Sequence, residues 1–200
     1  MSTQARVPVT PEQYLELERK AEHKSEYFAG EMFAMAGAPE AHNILVMNMA
    51  GLIYLQFRQR NCRVYGSDMR VNVSSTGLYT YPDVSALCGE PHFLDQRRDT
   101  LLNPSVIVEV LSSSTEAYDR GRKFEHYRAV PTLVQYVLVA SDRVHVDVYT
   151  RDAAGKWVLT SFAKPDDHIE LGSIEVQFKV SELYEKTDLV RDGEESARPS

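Results

Sequence analysis

The chain has little sulfur chemistry to offer. Cys62 and Cys88 are its only cysteines, too few for a disulfide framework and without metal-ligand spacing. Reduced, buried thiols are the plain expectation. It also lacks any apolar run near the roughly 20 residues that cross a bilayer, and its start, "MSTQARVPVT", lacks the apolar core of a secretion signal. A cytoplasmic protein with no membrane partner is expected. A basic excess is missing as well, the formal charge being −7 at pH 7. Proteins that coat nucleic acid draw most of their affinity from Lys and Arg on phosphates. A coating role is therefore disfavoured, whereas nucleic acid as an enzyme's substrate, gripped by a local basic patch, stays open. No internal repeat and no separate DNA-reading module, such as a zinc finger or helix-turn-helix, is visible.

What is present is ordinary globular composition: 200 residues, 43% apolar and 26% charged, enough for one domain with a substantial core. Thr10-Pro11-Glu12-Gln13 predicts a capped helix to about Ala21. "SEYFAGEMFAMAG" predicts a hairpin turning at Ala29-Gly30. Helical spacing then runs from Glu40 to Arg60, and strands follow at about Cys62–Tyr65, Asp68–Val73, Pro82–Cys88 and Pro104–Leu111, the last two separated by a long polar connection. A helix over Thr115–Arg128, strands Leu133–Ala140 and Arg143–Thr150 as a hairpin, strands Lys156–Ala163 and Ile169–Phe178, and a short helix near Ser181–Lys186 complete the reading. Strand, helix Thr115–Arg128 and strand make a β-α-β unit with parallel strands, while the rest are hairpin-linked. The expected fold is α/β: a single domain over residues 10–186 with a mixed central β-sheet flanked by helices. Residues 1–9 form an N-terminal extension, and 187–200 a polar, frayed tail.

One residue breaks the pattern. Glu109 sits inside the apolar run Val106-Ile107-Val108-Glu109-Val110-Leu111, where an uncompensated carboxylate costs several kcal/mol. If Pro82–Cys88 and Pro104–Leu111 pair antiparallel, Asp83 at the entrance of one strand lies beside Glu109 near the exit of the other. Two converging carboxylates suit a hard cation such as Mg²⁺. Lys123 lies roughly 12 Å along a helix that runs back over the sheet, and Glu109 about 7 Å back from its strand's end, so the two depths match. Asp119, one turn before Lys123, would pair with it. Such a set suits phosphodiester hydrolysis: two acids hold a metal, and the lysine positions or helps deprotonate a water, or offsets developing charge. The first turn, "SSSTE", with its free backbone N–H groups and hydroxyls, offers Ser113, Ser114 and Thr115 as a phosphate-contacting rim. Plain alternatives stand beside these: Pro-Asp as a turn into a strand, Ser113-x-x-Glu116 as a capping box, Lys123 as a surface lysine, Glu109 in a structural ion pair.

Tyr81-Pro82-Asp83-Val84, Asn103-Pro104 leading to Glu109-Val110-Leu111-Ser112, Ser114-Thr115, Asp119 to Lys123, Tyr127, Pro131 and Tyr136-Val137-Leu138-Val139, with "EYFAGEMFAMAGAPEAHN" before them, together resemble the Uma group of endonuclease-like proteins, within the restriction-endonuclease-like PD-(D/E)XK superfamily. The resemblance spans about Thr10 to Leu183. It implies a restriction-endonuclease-like fold and nuclease chemistry with one or two Mg²⁺ or Mn²⁺ ions. Asp83 and Glu109 would be the ligands, with the Val110 carbonyl as a third. The superfamily's lysine usually lies two residues after the acid, where this chain has Leu111, and Lys123 on the next helix takes its place. Glu31 and His42 match acidic and histidine positions and are accessory candidates.

The leading expectation is a metal-dependent endonuclease acting on DNA, with Asp83, Glu109 and Lys123 as its catalytic residues. Arg58, Arg60, Arg63, Arg70, Arg97, Arg98, Arg120 and Arg122 are the candidates for gripping a backbone, Arg70, Arg120 and Arg122 foremost. The alternatives are a binding or assembly module that keeps the fold without the chemistry, and hydrolysis of a small phosphate ester. A homodimer is expected by analogy with nucleases that cut both strands.

Overall fold

Local signals at the start of the chain place the first elements. In the computed structural model, which describes residues 8–189, Thr10 caps α1 (Pro11–Glu18). Its Oγ1 accepts from the Gln13 N–H at 3.3 Å, and Gln13 Oε1 accepts from the Thr10 N–H at 2.9 Å. Ala29 and Gly30, with φ of 50° and 89°, turn β1 (Ser25–Phe28) into β2 (Glu31–Ala34), as a two-residue hairpin requires. The long α2 (Glu40–Phe57) leads to β3 (Cys62–Gly66), β4 (Arg70–Val73) and β5 (Leu78–Thr80). After β6 (Val84–Cys88) comes β7 (Thr100–Leu101), a short strand inside the connection expected to be irregular, and then β8 (Val106–Leu111).

The expected helix over Thr115–Arg128 is α3 (Glu116–Tyr118), a π-helical turn (Asp119–Lys123) and α4 (Phe124–Tyr127) in succession. Its expected Ser113–Glu116 capping box does not form. Thr115 is the N-cap, and the Glu116 carboxylate instead meets Arg120 at 2.8 Å and Arg143 at 3.5 Å. β9 (Gln135–Ala140), β10 (Val146–Arg151) and β11 (Trp157–Phe162) follow. The run expected as one strand over Ile169–Phe178 is a hairpin, β12 (His168–Leu171) and β13 (Val176–Lys179), because Gly172 and the positive φ of Glu175 turn it. α5 (Val180–Leu183) comes next, and the tail from residue 190 and the extension before residue 8 lie outside the described residues.

The expected mixed central sheet is present, accompanied by a second sheet and a two-stranded hairpin. A six-stranded sheet runs β11-β10-β9-β8-β6-β3, with β8 and β9 parallel and the other pairs antiparallel; a five-stranded sheet runs β2-β1-β5-β4-β7. Alternation along β8 decides what each layer covers. Val106, Val108 and Val110 pack with Leu45, Met49, Ile53 and Phe57 of α2 and with the β12–β13 hairpin. Ile107 and Leu111 pack on the other face with Phe124, Tyr127, Tyr136 and the five-stranded sheet's Val71, Leu78 and Leu101. Glu109 belongs to that second face.

Cys62 and Cys88 are directly opposed in the β3–β6 register and joined as a disulfide, which corrects the expectation of two free thiols. Their spacing carries no sign of it, since the contact exists only once the two strands pair. Among the described residues no helix is long and apolar enough to cross a membrane.

Candidate active site

The β6–β8 ladder pairs Val84 with Val108, which places Asp83, one residue earlier, across from Glu109. Beyond the last paired residues the Val110 N–H has no strand partner on that edge and donates to Asp83 Oδ2 at 2.7 Å. A strand residue's N–H and C=O leave on the same edge, so the Val110 carbonyl is turned towards Asp83 as well. His42, in the first turn of α2, brings Nε2 to 3.2 Å from Asp83 Oδ1. Its Nδ1 is buried with no partner among the described residues.

Glu109 is 3% exposed and Lys123 6%. The Lys123 Nζ lies 2.9 Å from Glu109 Oε1, 3.2 Å from Glu26 Oε1 and 3.5 Å from Asp119 Oδ1. The π-helical turn puts both Asp119 and Lys123 on the buried side, and such turns recur at functional sites. The Tyr127 hydroxyl donates to Glu109 Oε1 at 2.8 Å, the Thr80 hydroxyl donates to Glu26, and the Tyr136 hydroxyl holds the Asp119 carbonyl at 3.0 Å.

Three carboxylates thus surround one ammonium, with Asp83 across the ladder from one of them, and the protonation follows from that surplus. Burial pushes the Glu109 carboxyl up to about 8; Lys123 opposes the shift, while Asp119 and Asp83 add to it. Burial raises Asp119 in the same way, again against Lys123. Burial works against the Lys123 charge, but Glu109, Glu26 and Asp119 outweigh it and hold the amine well above its ordinary range. Lys123 is therefore a fixed cation at neutral pH. It can orient and neutralise, and it does not serve as a general base.

The donor set also bears on which cation would fit. Among the described residues no three His, Cys, Asp or Glu side chains are grouped as a ready metal cage. Two carboxylates and a carbonyl, with excess negative charge around them, suit an ion that keeps much of its water shell, as Mg²⁺ does. Asp83, Glu109 and the Val110 carbonyl would hold it.

Comparison with known proteins establishes the family and the fold. The family model Uma2, described as "Putative restriction endonuclease", matches residues 11–181. The chain belongs to the Uma2 family. Two relatives from Synechocystis sp. (strain ATCC 27184 / PCC 6803 / Kazusa) are both described as uncharacterized. The protein slr1290 is 36% identical over 178 residues, covering 88% of this chain and 91% of its own length. For sll1609 the figures are 34% over 168 residues, 84% and 95%. A crystal structure described as that of "a putative nuclease belonging to DUF820" from Anabaena variabilis superposes with a TM-score of 0.74 at 19% identity. It covers 88% of this chain and 98% of that one, so the fold is shared.

In this Uma2 protein Glu109, Lys123 and Asp119 meet in one buried cluster, Asp83 lies across the ladder from Glu109, and His42 reaches Asp83. Glu31 does not join them. It stands exposed on the edge strand β2, opposite Phe28. The hairpin's contribution is Glu26, a strand earlier and on the same face. The signal was available: Glu26 alternates with Phe28 on the face turned to the core. Tyr127, Thr80 and Tyr136 were also missed as site residues, because a hydroxyl in an apolar segment says nothing until its acceptor is known. Arg70 is a correction. It is buried, bonded to Thr100 at 3.1 Å and Asp99 at 3.3 Å, and packed against the rings of Tyr14 and Tyr81, so it presents no surface to a phosphate. Arg120 is half-buried between Glu116 and Asp147. Arg122, Ser113, Ser114 and Thr115 are exposed.

Proposed function

We propose that this Uma2 protein is a cytoplasmic, metal-dependent endonuclease that hydrolyses phosphodiester bonds in DNA. The observation that carries the reading is the convergence of Asp83, Glu109 and Lys123 from three separate elements, with a surplus of negative charge that one ammonium does not cancel. Perturbed, like-charged groups of this kind cluster at functional sites.

A bound Mg²⁺ or Mn²⁺ supplies Lewis-acid polarisation of the phosphoryl oxygen and a water of lowered pKa. The chain's own groups do the rest. The Val110 N–H fixes the Asp83 carboxylate, and Lys123 and Tyr127 fix Glu109 through Oε1. Glu26 and Asp119 keep Lys123 charged and aimed, so that its ammonium offsets charge building on the phosphoryl group. Ser113, Ser114, Thr115 and Arg122 supply the exposed rim for the backbone.

The test is nicking of supercoiled plasmid in Mn²⁺ or Mg²⁺. Wild-type protein cleaves, and Asp83→Ala, purified identically, loses about 100-fold or more of the rate, the scale on which loss of an electrostatic stabiliser is felt. Equal cleavage by the variant would refute the site. A second reading, a nuclease-fold assembly module, is favoured by Leu111 at the superfamily's usual lysine position and by the charge of −7. A panel of duplex DNA, single strands, RNA and a chromogenic diester separates the readings: the proposal requires turnover of duplex DNA, and the module turns over none.

A further inference from the structure

We propose that the outer face of α2 is a two-fold interface with a second copy of this chain, the two helices antiparallel and crossing at Gly51. This inference is independent of the chemistry assigned to the carboxylate cluster.

The inner face of α2 buries Leu45, Met49, Ile53 and Phe57 against the six-stranded sheet. A helix of this kind ordinarily turns charged residues to water on its other side. Here the sequence EAHNILVMNMAGLIYLQF carries no Lys, Arg or Asp and a single acid, Glu40. Its outward positions are Met47, Tyr54 and Leu55, at 70%, 60% and 63% exposure, with partly buried Ile44 and Gly51 between and beside them. At 3.6 residues per turn these five fall on one stripe along the helix. A Cβ added at Gly51 would meet nothing within 4 Å, so the space above it is open. A residue without a side chain there lets a second helix approach closely.

The spacing is self-complementary, as an isologous contact demands. Met47 lies four residues before Gly51 and Leu55 four after. An axis through Gly51 therefore sets each copy's Met47 against the other's Leu55. Ile44 and Arg58 stand seven residues to either side, so Ile44 meets the aliphatic stem of Arg58. Charge agrees with the antiparallel sense: Glu40 marks one end of the helix and exposed Arg58 the other, while Arg60 is held by Glu175 of its own chain, so the acidic end of each copy faces the Arg58 end of its mate, and the helix dipoles oppose. Between Ile44 and Leu55 a nucleic acid would find no cation along the stripe. The helix is about 27 Å long by its rise, which suits a reversible pair at the small end of interface sizes.

Sedimentation velocity of the full chain from about 1 to about 200 µM tests this. The wild type shifts from monomer to dimer across the range, while Met47→Glu and Leu55→Glu stay monomeric with unchanged thermal unfolding. Gly51→Cys then places its thiol on the axis, and mild oxidation yields a covalent dimer, whereas Gln59→Cys, exposed beyond the crossing, stays monomeric. Wild-type protein that remains monomeric at every concentration would overturn the proposal. So would a dimer untouched by both glutamate variants, or a dimer that fails to cross-link through Gly51→Cys.

Discussion

Two buried acids lie at the same level of the same sheet face, one strand apart. Glu109 on β8 stands beside Leu138 on β9, which stands beside Asp147 on β10, so the two backbone positions are about 10 Å apart. Both are covered by the helical run over residues 116–127. Asp147 accepts from Arg120 at 2.6 Å, His145 at 3.0 Å and the Ser161 hydroxyl. Burial alone would raise its pKa, but Ser161, Arg120 and His145 more than reverse the effect and leave it below the ordinary value. Glu109 shares a single ammonium with two other acids, Glu26 and Asp119, and is raised to about 8. Burial of an acid is common to both. The lesson is that balance distinguishes them: Asp147 is a satisfied staple between helix and sheet, whereas Glu109 sits in a charge surplus that a cation would relieve.

The largest effect separating the two follows from removing each acid's cation. Lys123→Met leaves a group of buried carboxylates without a counter-charge, and urea unfolding should show a loss of about 3–5 kcal/mol. Arg120→Met, at a half-exposed staple, should lose about 1–2 kcal/mol. Equal losses would erase the distinction.

Amide replacements sharpen it next. Asp147→Asn should cost about 1–3 kcal/mol through unmade hydrogen bonds and leave plasmid cleavage within a few-fold of wild type. Glu109→Gln imitates the protonated acid that burial already favours at pH 7. It should unfold at nearly the wild-type urea midpoint there while losing about 100-fold or more of the cleavage rate.

The pH dependence of unfolding should differ in sign between them. Glu109 has its folded pKa raised from 4.5 to about 8, so the folded state holds a proton that the unfolded state releases between those values. Its contribution is fully present below about pH 4.5 and is lost as pH rises towards 8. Glu109→Gln removes that decline. Asp147 has a folded pKa below 3.8. Its contribution is present above that value and is lost as pH falls below it, and Asp147→Asn flattens the acid limb instead. The smallest effect is expected at the exposed rim. Arg122→Ala should weaken DNA binding a few-fold and lower the salt slope by about one.

Much of this was legible from periodicity and turns. The capping box at Thr10, the Ala29-Gly30 hairpin and the antiparallel juxtaposition of Asp83 and Glu109 follow from local rules. So did the depth at which Lys123 meets Glu109, because helix rise and strand rise are fixed numbers. The misses were non-local. Nothing near Thr100 announces β7, which exists only because β4 offers it an edge. The Cys62–Cys88 bond and the Glu26–Lys123 contact need a strand register and a second sheet, and no sequence window spans them. Arg70 read as a surface cation because its seat between Tyr14 and Tyr81 depends on α1 docking over the five-stranded sheet.

Calorimetric titration of Mn²⁺ into the purified chain at about pH 8, where Glu109 is half ionised, tests the charge surplus most directly. Wild-type protein should bind Mn²⁺ and release a proton on doing so, with affinity falling as pH is lowered and Glu109 becomes protonated. Asp83→Asn, folded to the same thermal midpoint, should bind none. A wild type that takes up no Mn²⁺, or an Asp83→Asn variant that binds it equally well, would contradict the account.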